Sequence, residues 1–570
     1  MITLGIHDGH TATAALAKNG TILACISEER MVRSKEWGGF PVESIKRCLE
    51  ISNINPSEID CVGMVGLGEP TIHNSYNMPS FYKKIFYIFT FILPKSFLRS
   101  SKWVPFAHKL LSRNRKKSEH RKILSELGIK SKIKYYEHHF LHAATAHLQC
   151  PWGKDNNLIL TNDGSGDATA ATVNVGKGNN IQRLETISNY NSIGEFYTRI
   201  TQYLGMKPMS HEFKVMGLAP YAKEEYGLKT YSIIKDWFKL NPKHPLSFEN
   251  HSGFWRWRYL AAFYKLFKTK HRFDNIAWAA QNLVEEMQVK WIKNVISKTG
   301  IKDVILSGGV FLNVKANHKI LELDEIDRLF IFPSGGDESL PMGAALQCQV
   351  DMEFEETSPL GPIYLGDEYA DDEIEIELKK WESKIIYKKF DDIHTHVGSE
   401  LNDGKIISRY FGRMEWGARS LGNRSIIADG RKPNVVQRIN EAIKNRDFWM
   451  PFAPSILFER VNDYFDNPKD FFGPYMVIAF PSKPLAKEHL KGAIHPYDFT
   501  GRPQMVKEEW NPEYYKVLKA FENFSGGVGG ILNTSFNLHG EAIVRTPRDA
   551  VETFLNSGLD SLAIGSFYVT

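Results

Sequence analysis

His138 and His142 stand one helical turn apart in "YYEHHFLHAATAHLQ", residues 135–149, a stretch with four histidines in ten positions. At i and i+4 both imidazoles leave the same helix face, so two nitrogen donors can converge, although a pair alone does not make a metal site. Two carboxylates stand at turns that could join them: Asp163 in "NDGSGD", and Asp337 after Gly335 and Gly336 in "PSGGDESLPMGAAL". Such a set suits a divalent transition metal, Fe(II), Mn(II) or Zn(II), with room left for a phosphate oxygen. The plainer alternative makes each residue structural, as lone His and Asp residues usually are. His139 and His147 point to other sides of the same helix and fit packing or support of the ligands.

Bringing these residues together needs strands and turns, and the sequence supplies such a unit twice. "ITLGIHDGHTATAALAKNGTILACISEER" opens the chain, and "LILTNDGSGDATAATVNVGKGNNIQRLETI" starts at Leu158. Each reads as an apolar strand, Asp-Gly, a small-residue run, a turn signal and another strand. Two coincidental hairpins would look similar, but the shared register favours duplication, with two related halves meeting across a cleft. Further on, "DNIAWAAQNLVEEMQVKWIKNVISK" (274–298) has helical spacing, and strand–glycine–helix punctuation recurs in "DVILSGGVFLNVKAN" and "RLFIFPSGGDESLPMGAALQ". That is α/β architecture, with ligands expected at strand C-termini. An acidic, proline-containing stretch at 352–373 reads as an interdomain linker, so the expected boundaries are residues 1–350, a linker over 351–366, and a second α/β domain over 367–570.

The chain of 570 residues is 42% hydrophobic and 24% charged, a globular composition. Five scattered cysteines without a CxxC pair, and a start lacking the basic flank and apolar core of a signal peptide, predict a reducing, cytoplasmic setting. Between Lys83 and Lys134, fifteen Lys and Arg face only Glu119 and Glu126, a local charge of +13; the rest of a protein of net +5 therefore carries −8. This stretch, an insertion around 81–134, interleaves aromatic and basic residues, as does "WRWRYLAAFYKLFKTKHR" (255–272). Two readings stay open: amphipathic helices with solvated basic faces, or a surface for something anionic, such as the inner membrane face, a nucleotide sugar or RNA.

Ordered motifs along nearly the whole chain carry a family resemblance. They include "IHDGHTATAAL", "SEERMVRSKEWGGFP", "EHHFLHAA", "NDGSGD", "EFKVMGLAPY", "SGGVFLN", "GRMEWGARSLGNRSIIADGR", "IKNRDFWMPFAPS", "DFTGRPQMV" and "LNTSFNLHGEAIVRTPRDA". The sequence resembles the O-carbamoyltransferases of the nodulation-protein and aminoglycoside-tailoring type. The resemblance implies an N-terminal duplicated, actin/sugar-kinase-like (Kae1-like) domain followed by a C-terminal YrdC-like α/β domain. It implies that carbamoyl phosphate and ATP, with Mg²⁺, form carbamoyl-adenylate in the second domain. The carbamoyl group then passes to a hydroxylated saccharide or natural-product acceptor in the first. By the same resemblance His138, His142, Asp163 and Asp337 hold the metal, foremost Fe(II), and Gly308, Gly309, Asn313 and Gly336 cradle the nucleotide. His10 is the candidate general base, and Lys35 orients acceptor or adenylate. In the second domain Arg419, Arg424, Lys444 and Arg502 would bind phosphoryl oxygens, while Asn533, Ser535 and Asn537 hold the planar carbamate.

Two departures from the pattern bear on chemistry. Thr11 stands where the family commonly has Asp. Met450 replaces the usual Arg before "PFAP", removing a cation that Arg446 or another basic side chain would have to replace. A tRNA threonylcarbamoyl-adenosine-type enzyme and a catalytically inactive ATP-binding scaffold are the alternatives. Nucleic acid is not an expected partner; a homodimer and a peripheral contact with an anionic membrane are.

Overall fold

The computed structural model describes residues 1–68, 117–268, 270–432, 434–444, 447 and 449–570. Most of the basic insertion, and Arg446, lie outside the described residues. The chain forms two compact units: Met1–Glu28 with Glu36–Leu360, and Glu29–Lys35 with Gly361–Thr570.

The first unit repeats one topology. Its first sheet contains β1 (Ile2–His7), β2 (Thr13–Lys18), β3 (Thr21–Ser27), β4 (Cys61–Val65) and β5 (Lys132–Tyr136), in the order β3-β2-β1-β4-β5. Its second contains β6 (Asn157–Gly166), β7 (Thr169–Lys177), β8 (Asn180–Ser188), β11 (Asp303–Ser307) and β12 (Arg328–Ile331); β9 (Phe238–Leu240) and β10 (Phe248–Asn250) form a separate hairpin. The order β8-β7-β6-β11-β12 matches the first sheet strand for strand. In both, the first three strands run antiparallel and the last two join in parallel. The duplication read from the Asp-Gly register is therefore present in the fold: Asp8 directly follows β1, and Asp163 lies towards the turn end of the equivalent β6.

Two helices pack between the sheets, Leu340–Val350 against β1 and β4, and His138–Leu148 against β6 and β7. Their contact is close because it uses glycine: a Cβ on Gly343 would fall 2.2 Å from Thr145 Oγ1. Polar side chains tie the layers as well: Thr3 donates to Ala345 O at 2.8 Å, and Gln349 accepts from Gly20 N at 2.7 Å. The 274–298 periodicity becomes the helix Phe273–Thr299, ended by Gly300 in the left-handed region.

The helix Arg258–Phe267, within the second basic-aromatic stretch, is amphipathic. Tyr259, Ala262, Phe263 and Phe267 are buried, Phe263 lying parallel to Trp237 at 6.0 Å, while Trp257 and Tyr264 are exposed. No helix among the described residues is long and apolar enough to cross a membrane.

The second unit is built on an eight-stranded mixed sheet of β13 (Tyr387–Lys389), β14 (Ile407–Tyr410), β15 (Arg424–Ala428), β16 (Ala453–Leu457), β19 (Gln504–Val506), β20 (Gly530–Ser535), β21 (Ser561–Ile564) and β22 (Phe567–Val569). Their order is β13-β22-β21-β14-β15-β20-β16-β19, with β17 (Phe480–Pro481) and β18 (Thr500–Gly501) paired apart. Alternate residues feed opposite faces, as a pleated strand requires. Ile426 and Ala428 enter one core with Tyr410 and Leu532, whereas Ile427 enters another with Ile407 and Ile531. Both faces therefore pack against buried apolar residues.

The expected linker is hydrogen-bonded on both sides of the changeover. Residues before the changeover bond within the first unit (Ser358 N to Gly20 O, 2.9 Å; Leu360 N to Gln149 O, 2.9 Å), and those after it bond within the second (Gly366 N to Met414 O, 2.9 Å).

Candidate functional site

Three segments of the first unit deliver the four expected ligands. His138 and His142 come from the first turns of their helix, Asp163 from β6, and Asp337 from the turn after β12. Helix entry is fixed by Glu137, whose carboxylate accepts from His139 N at 3.1 Å and Phe140 N at 2.6 Å and is held by Arg183 at 2.7 Å. Asp167 accepts from His138 N at 2.9 Å and Gly68 N at 2.9 Å, pinning the first ligand's backbone.

The donor atoms converge. His138 Nε2 lies 3.1 Å from His142 Nε2, 3.6 Å from Asp163 Oδ2 and 3.4 Å from Asp337 Oδ1, and all four ligand atoms lie within 4.8 Å of one another. Metal bonds of about 2.0–2.2 Å space neighbouring ligand atoms roughly 3 to 4.4 Å apart, so this set fits a single ion with small adjustment. The electrostatics agree. Burial disfavours the His138 imidazolium, yet the facing Asp337 and Asp163 push it up to about 10. Burial opposes ionisation of Asp163, but the neighbouring imidazoles hold it well below the usual carboxylate range. Asp337, half-buried beside another carboxylate, is pushed up to about 7 by desolvation despite His138. His142 is kept neutral by burial and by the charge on His138, and neutral imidazole is the form that ligates metal.

Supporting groups orient the ligands. Ser307 Oγ lies 3.4 Å from His142 Nδ1, and Gly309 N donates to Asp163 Oδ1 at 2.9 Å. Gly308 adopts φ +112°, and a Cβ there would fall 2.3 Å from Asn162 O, so this turn needs glycine. Gly308 N also donates to Gly335 O at 2.9 Å, which brings the two glycine pairs, Gly336 included, against the Asp163 turn. Asn313 is committed nearby: its amide exchanges hydrogen bonds with Gln281 at 2.9 and 3.0 Å and caps the helix Val314–Leu321. His139 and His147 face away, to Thr161 Oγ1 at 2.8 Å and Gly178 O at 2.8 Å.

Sequence reasoning missed His7 and the pair Asp8–His120. His7 Nε2 lies 3.6 Å from Asp337 Oδ2 and 3.0 Å from His10 O. Asp8 Oδ2 is 3.1 Å from His120 Nε2, whose other nitrogen is 3.1 Å from Tyr135 OH. All sit in or against the "HDGH" turn that supplies buried His10, so the signal was in the motif but only His10 was taken from it. Thr11 holds φ +58°, an uncommon conformation for a β-branched residue, with its hydroxyl on His10 O at 2.5 Å. Lys35 is exposed and belongs to the segment grouped with the second unit.

In the second unit, three expected residues meet. The buried Lys444 ammonium donates to Ser535 O at 2.5 Å, Ser535 Oγ at 3.1 Å, Asn537 Oδ1 at 2.8 Å and Asn537 O at 3.2 Å. Asn533, two residues earlier on β20, joins a buried amide–hydroxyl network with Ser420, Ser455 and Gln504. Ser420, Ser455 and Gln504 were not foreseen, although each lies inside a quoted motif. Arg419 and Arg502 flank this network in sequence and are half-buried.

Arg424 has a different place. It is fully buried, donates to the carbonyls of Phe411, Asn423, Asp367 and Gly412 at 2.9 to 3.2 Å, and lies 3.7 Å over the Tyr410 ring. Those bonds make it a strut between loops rather than the expected phosphate contact. Met450 is half-buried, its N–H bonded to Asp447 O at 3.0 Å.

Comparison with known proteins matches both units. Residues 2–346 fit the family described as carbamoyltransferase N-terminus, and residues 398–570 the carbamoyltransferase C-terminus. The chain is 31% identical to the uncharacterized protein MJ1051 of Methanocaldococcus jannaschii over 100% of its length and 99% of that protein. It is 32% identical to the nodulation protein NolNO of Sinorhizobium fredii, over 99% of the chain and 79% of the relative. A 3'-hydroxymethylcephem-O-carbamoyltransferase of Amycolatopsis lactamdurans is 27% identical over 46% of the chain and 47% of that enzyme. Among solved structures, full-length HypF in a phosphate- and nucleotide-bound form covers 63% of the chain and 56% of its own length, at 11% identity and a TM-score of 0.34, too weak a likeness to build on. The chain belongs to the carbamoyltransferase family.

Proposed function

We propose that the protein is an ATP-dependent O-carbamoyltransferase working in two steps, one in each unit. The observation that supports this best is that family similarity spans both units while each holds its own polar centre: the four-ligand cluster in the first, and Lys444 with Ser535 and Asn537 in the second.

In the second unit, carbamoyl phosphate is hydrolysed to phosphate and carbamate. A carbamate oxygen attacks the α-phosphorus of ATP, accompanied by Mg²⁺, and pyrophosphate leaves. Lys444 provides the buried positive charge that offsets phosphoryl oxygens, and Arg419 and Arg502 add guanidinium forks. Asn533, with Ser420, Ser455 and Gln504, offers neutral donors and acceptors for a planar carbamate.

In the first unit, the acceptor hydroxyl attacks the carbamoyl carbon and AMP leaves. His10 takes the hydroxyl proton, and His7 holds the turn that presents it. The glycine turns at Gly308–Gly309 and Gly335–Gly336 provide backbone N–H groups for the nucleotide phosphate. A divalent ion, Fe(II) foremost, held by His138, His142, Asp163 and Asp337 would supply charge neutralisation at the departing phosphate. The acceptor is a hydroxylated saccharide or natural product, and the basic aromatic segments favour an anionic or lipid-linked one.

The test needs no acceptor. Purified protein with ATP, carbamoyl phosphate, Mg²⁺ and Fe²⁺ is expected to release pyrophosphate and AMP only when carbamoyl phosphate is present, and Lys444→Ala is expected to abolish release. Bound ATP without pyrophosphate would overturn the donor chemistry and leave Met450 as the mark of a changed donor.

A further inference from the structure

The segment "SEERMVRSK" (27–35) leaves the first unit for the second. Glu28 and Glu36, which bracket its centre, are held in the first unit: Glu28 accepts from Glu43 N at 3.1 Å and Ser44 N at 2.7 Å, and Glu36 pairs with Lys207 at 2.7 Å. The seven residues between, Glu29–Lys35, belong to the second unit. Two arginines join them to it.

Arg30 is 3% exposed, and its Nη2 donates to Gly417 O at 2.8 Å. Gly417, at φ +95°, opens the turn that carries Arg419 and Ser420, and Ser420 Oγ donates to Asn533 Oδ1 at 3.2 Å. Arg33 reaches a second turn, donating from Nη1 to Ala542 O at 2.9 Å and from Nη2 to Glu541 Oε2 at 2.9 Å, with its Nε 3.9 Å from Asp549 Oδ1. Glu541 O in turn accepts from Asn537 Nδ2 at 3.0 Å, and Asn537 Oδ1 holds Lys444 at 2.8 Å. Each guanidinium is therefore one residue-to-residue step from a loop of the anion centre. A planar fork with fixed donor directions sets such loops more narrowly than an ammonium can.

We infer that Arg30 and Arg33 are positioning residues for donor activation: the N-terminal segment clamps the Gly417–Ser420 turn and the Glu541–Ala542 turn so that Arg419, Asn537 and Lys444 face the phosphoryl groups together. This rests on the proposed carbamoyl-adenylate reaction in the second unit. It assigns part of that reaction to residues about 400 positions away in sequence, counting from Arg30 to Gly417.

The experiment uses the full chain and follows carbamoyl-phosphate-dependent pyrophosphate release, with thermal unfolding measured alongside. Arg30→Ala and Arg33→Ala are expected to unfold cooperatively near the wild-type temperature but to raise KM for carbamoyl phosphate at least tenfold. Guanidinium chloride at low millimolar concentration is expected to restore much of the Arg30→Ala loss by filling the vacated site, while Arg33→Lys recovers only part of the Arg33→Ala loss. Arg548→Ala, which removes an exposed helical ion pair with Glu552, should behave as wild type. Wild-type KM in both alanine variants overturns the inference, as does a loss that tracks the unfolded fraction and is not rescued by guanidinium. Should wild type itself release no pyrophosphate, the two-step reading fails separately. ATP affinity by calorimetry then decides: weaker binding in both alanine variants supports the clamp, and equal binding overturns it.

Discussion

The two halves of the first unit share a strand order but not a chemistry. In the second half, Asp163 faces His138, at 3.6 Å, within the four-ligand cluster. In the first half, the corresponding carboxylate, Asp8, pairs with His120 at 3.1 Å. Between them, His7 touches both sides, lying 3.6 Å from Asp337 and 3.0 Å from His10 O. A duplicated strand–turn–strand unit thus provides two carboxylates at equivalent positions, Asp8 buried and Asp163 half-buried, and the neighbouring elements decide what each faces. Asp163 faces two imidazoles and a second carboxylate, a set that could hold a metal ion; Asp8 faces an imidazole backed by a tyrosine hydroxyl, in the turn that carries His10.

The largest effect should come from breaking the second half. Asp163→Asn or His142→Ala is expected to reduce bound metal to background, measured by elemental analysis, and to slow carbamoyl transfer by about 10³-fold or more, while pyrophosphate release in the second unit continues. Asp8→Asn tests the first half: metal content should stay at the wild-type level while transfer slows by about 10²-fold. If Asp8→Asn loses metal as Asp163→Asn does, the halves are not chemically distinct. His120→Gln, which keeps a hydrogen bond to Asp8 but removes the imidazole, should cost about tenfold in transfer and leave pyrophosphate release unchanged. The smallest effect is expected at His139, whose ring bonds Thr161 and the Thr169 carbonyl. His139→Asn should keep its metal and most of its activity, but lose about 1–3 kcal/mol of stability in thermal or denaturant unfolding, because buried partners are left unsatisfied.

Much of this contrast was legible in the sequence, for a specific reason. Asp-Gly turns followed by small residues are local signals, and so is the i, i+4 spacing of His138 and His142, so the duplication and the convergence of the two imidazoles could be read directly. Asp337 could be placed because glycine pairs mark the end of a strand. His120 could not, because nothing near it in sequence announces a partner 112 residues earlier in the chain. Arg424 was misjudged for a related reason: an arginine inside a matched motif reads as an anion contact, and only the fold shows four carbonyls already occupying it. The segment Glu29–Lys35 shows the limit of reading domains as intervals, since its neighbours on both sides belong to the other unit.

Gly166 ends β6, and a Cβ built there would fall 2.1 Å from the His138 ring. The added methyl cannot turn away, because its position is fixed by the backbone, so the His138 ring has to move instead. The position therefore works as a diagnostic that needs no structure. Any relative carrying even alanine at the equivalent of Gly166 must have moved its first histidine, and with it the site that histidine helps to build. Sorting family members by that one residue would separate those able to keep this ligand arrangement from those that have abandoned it, before any of them is purified.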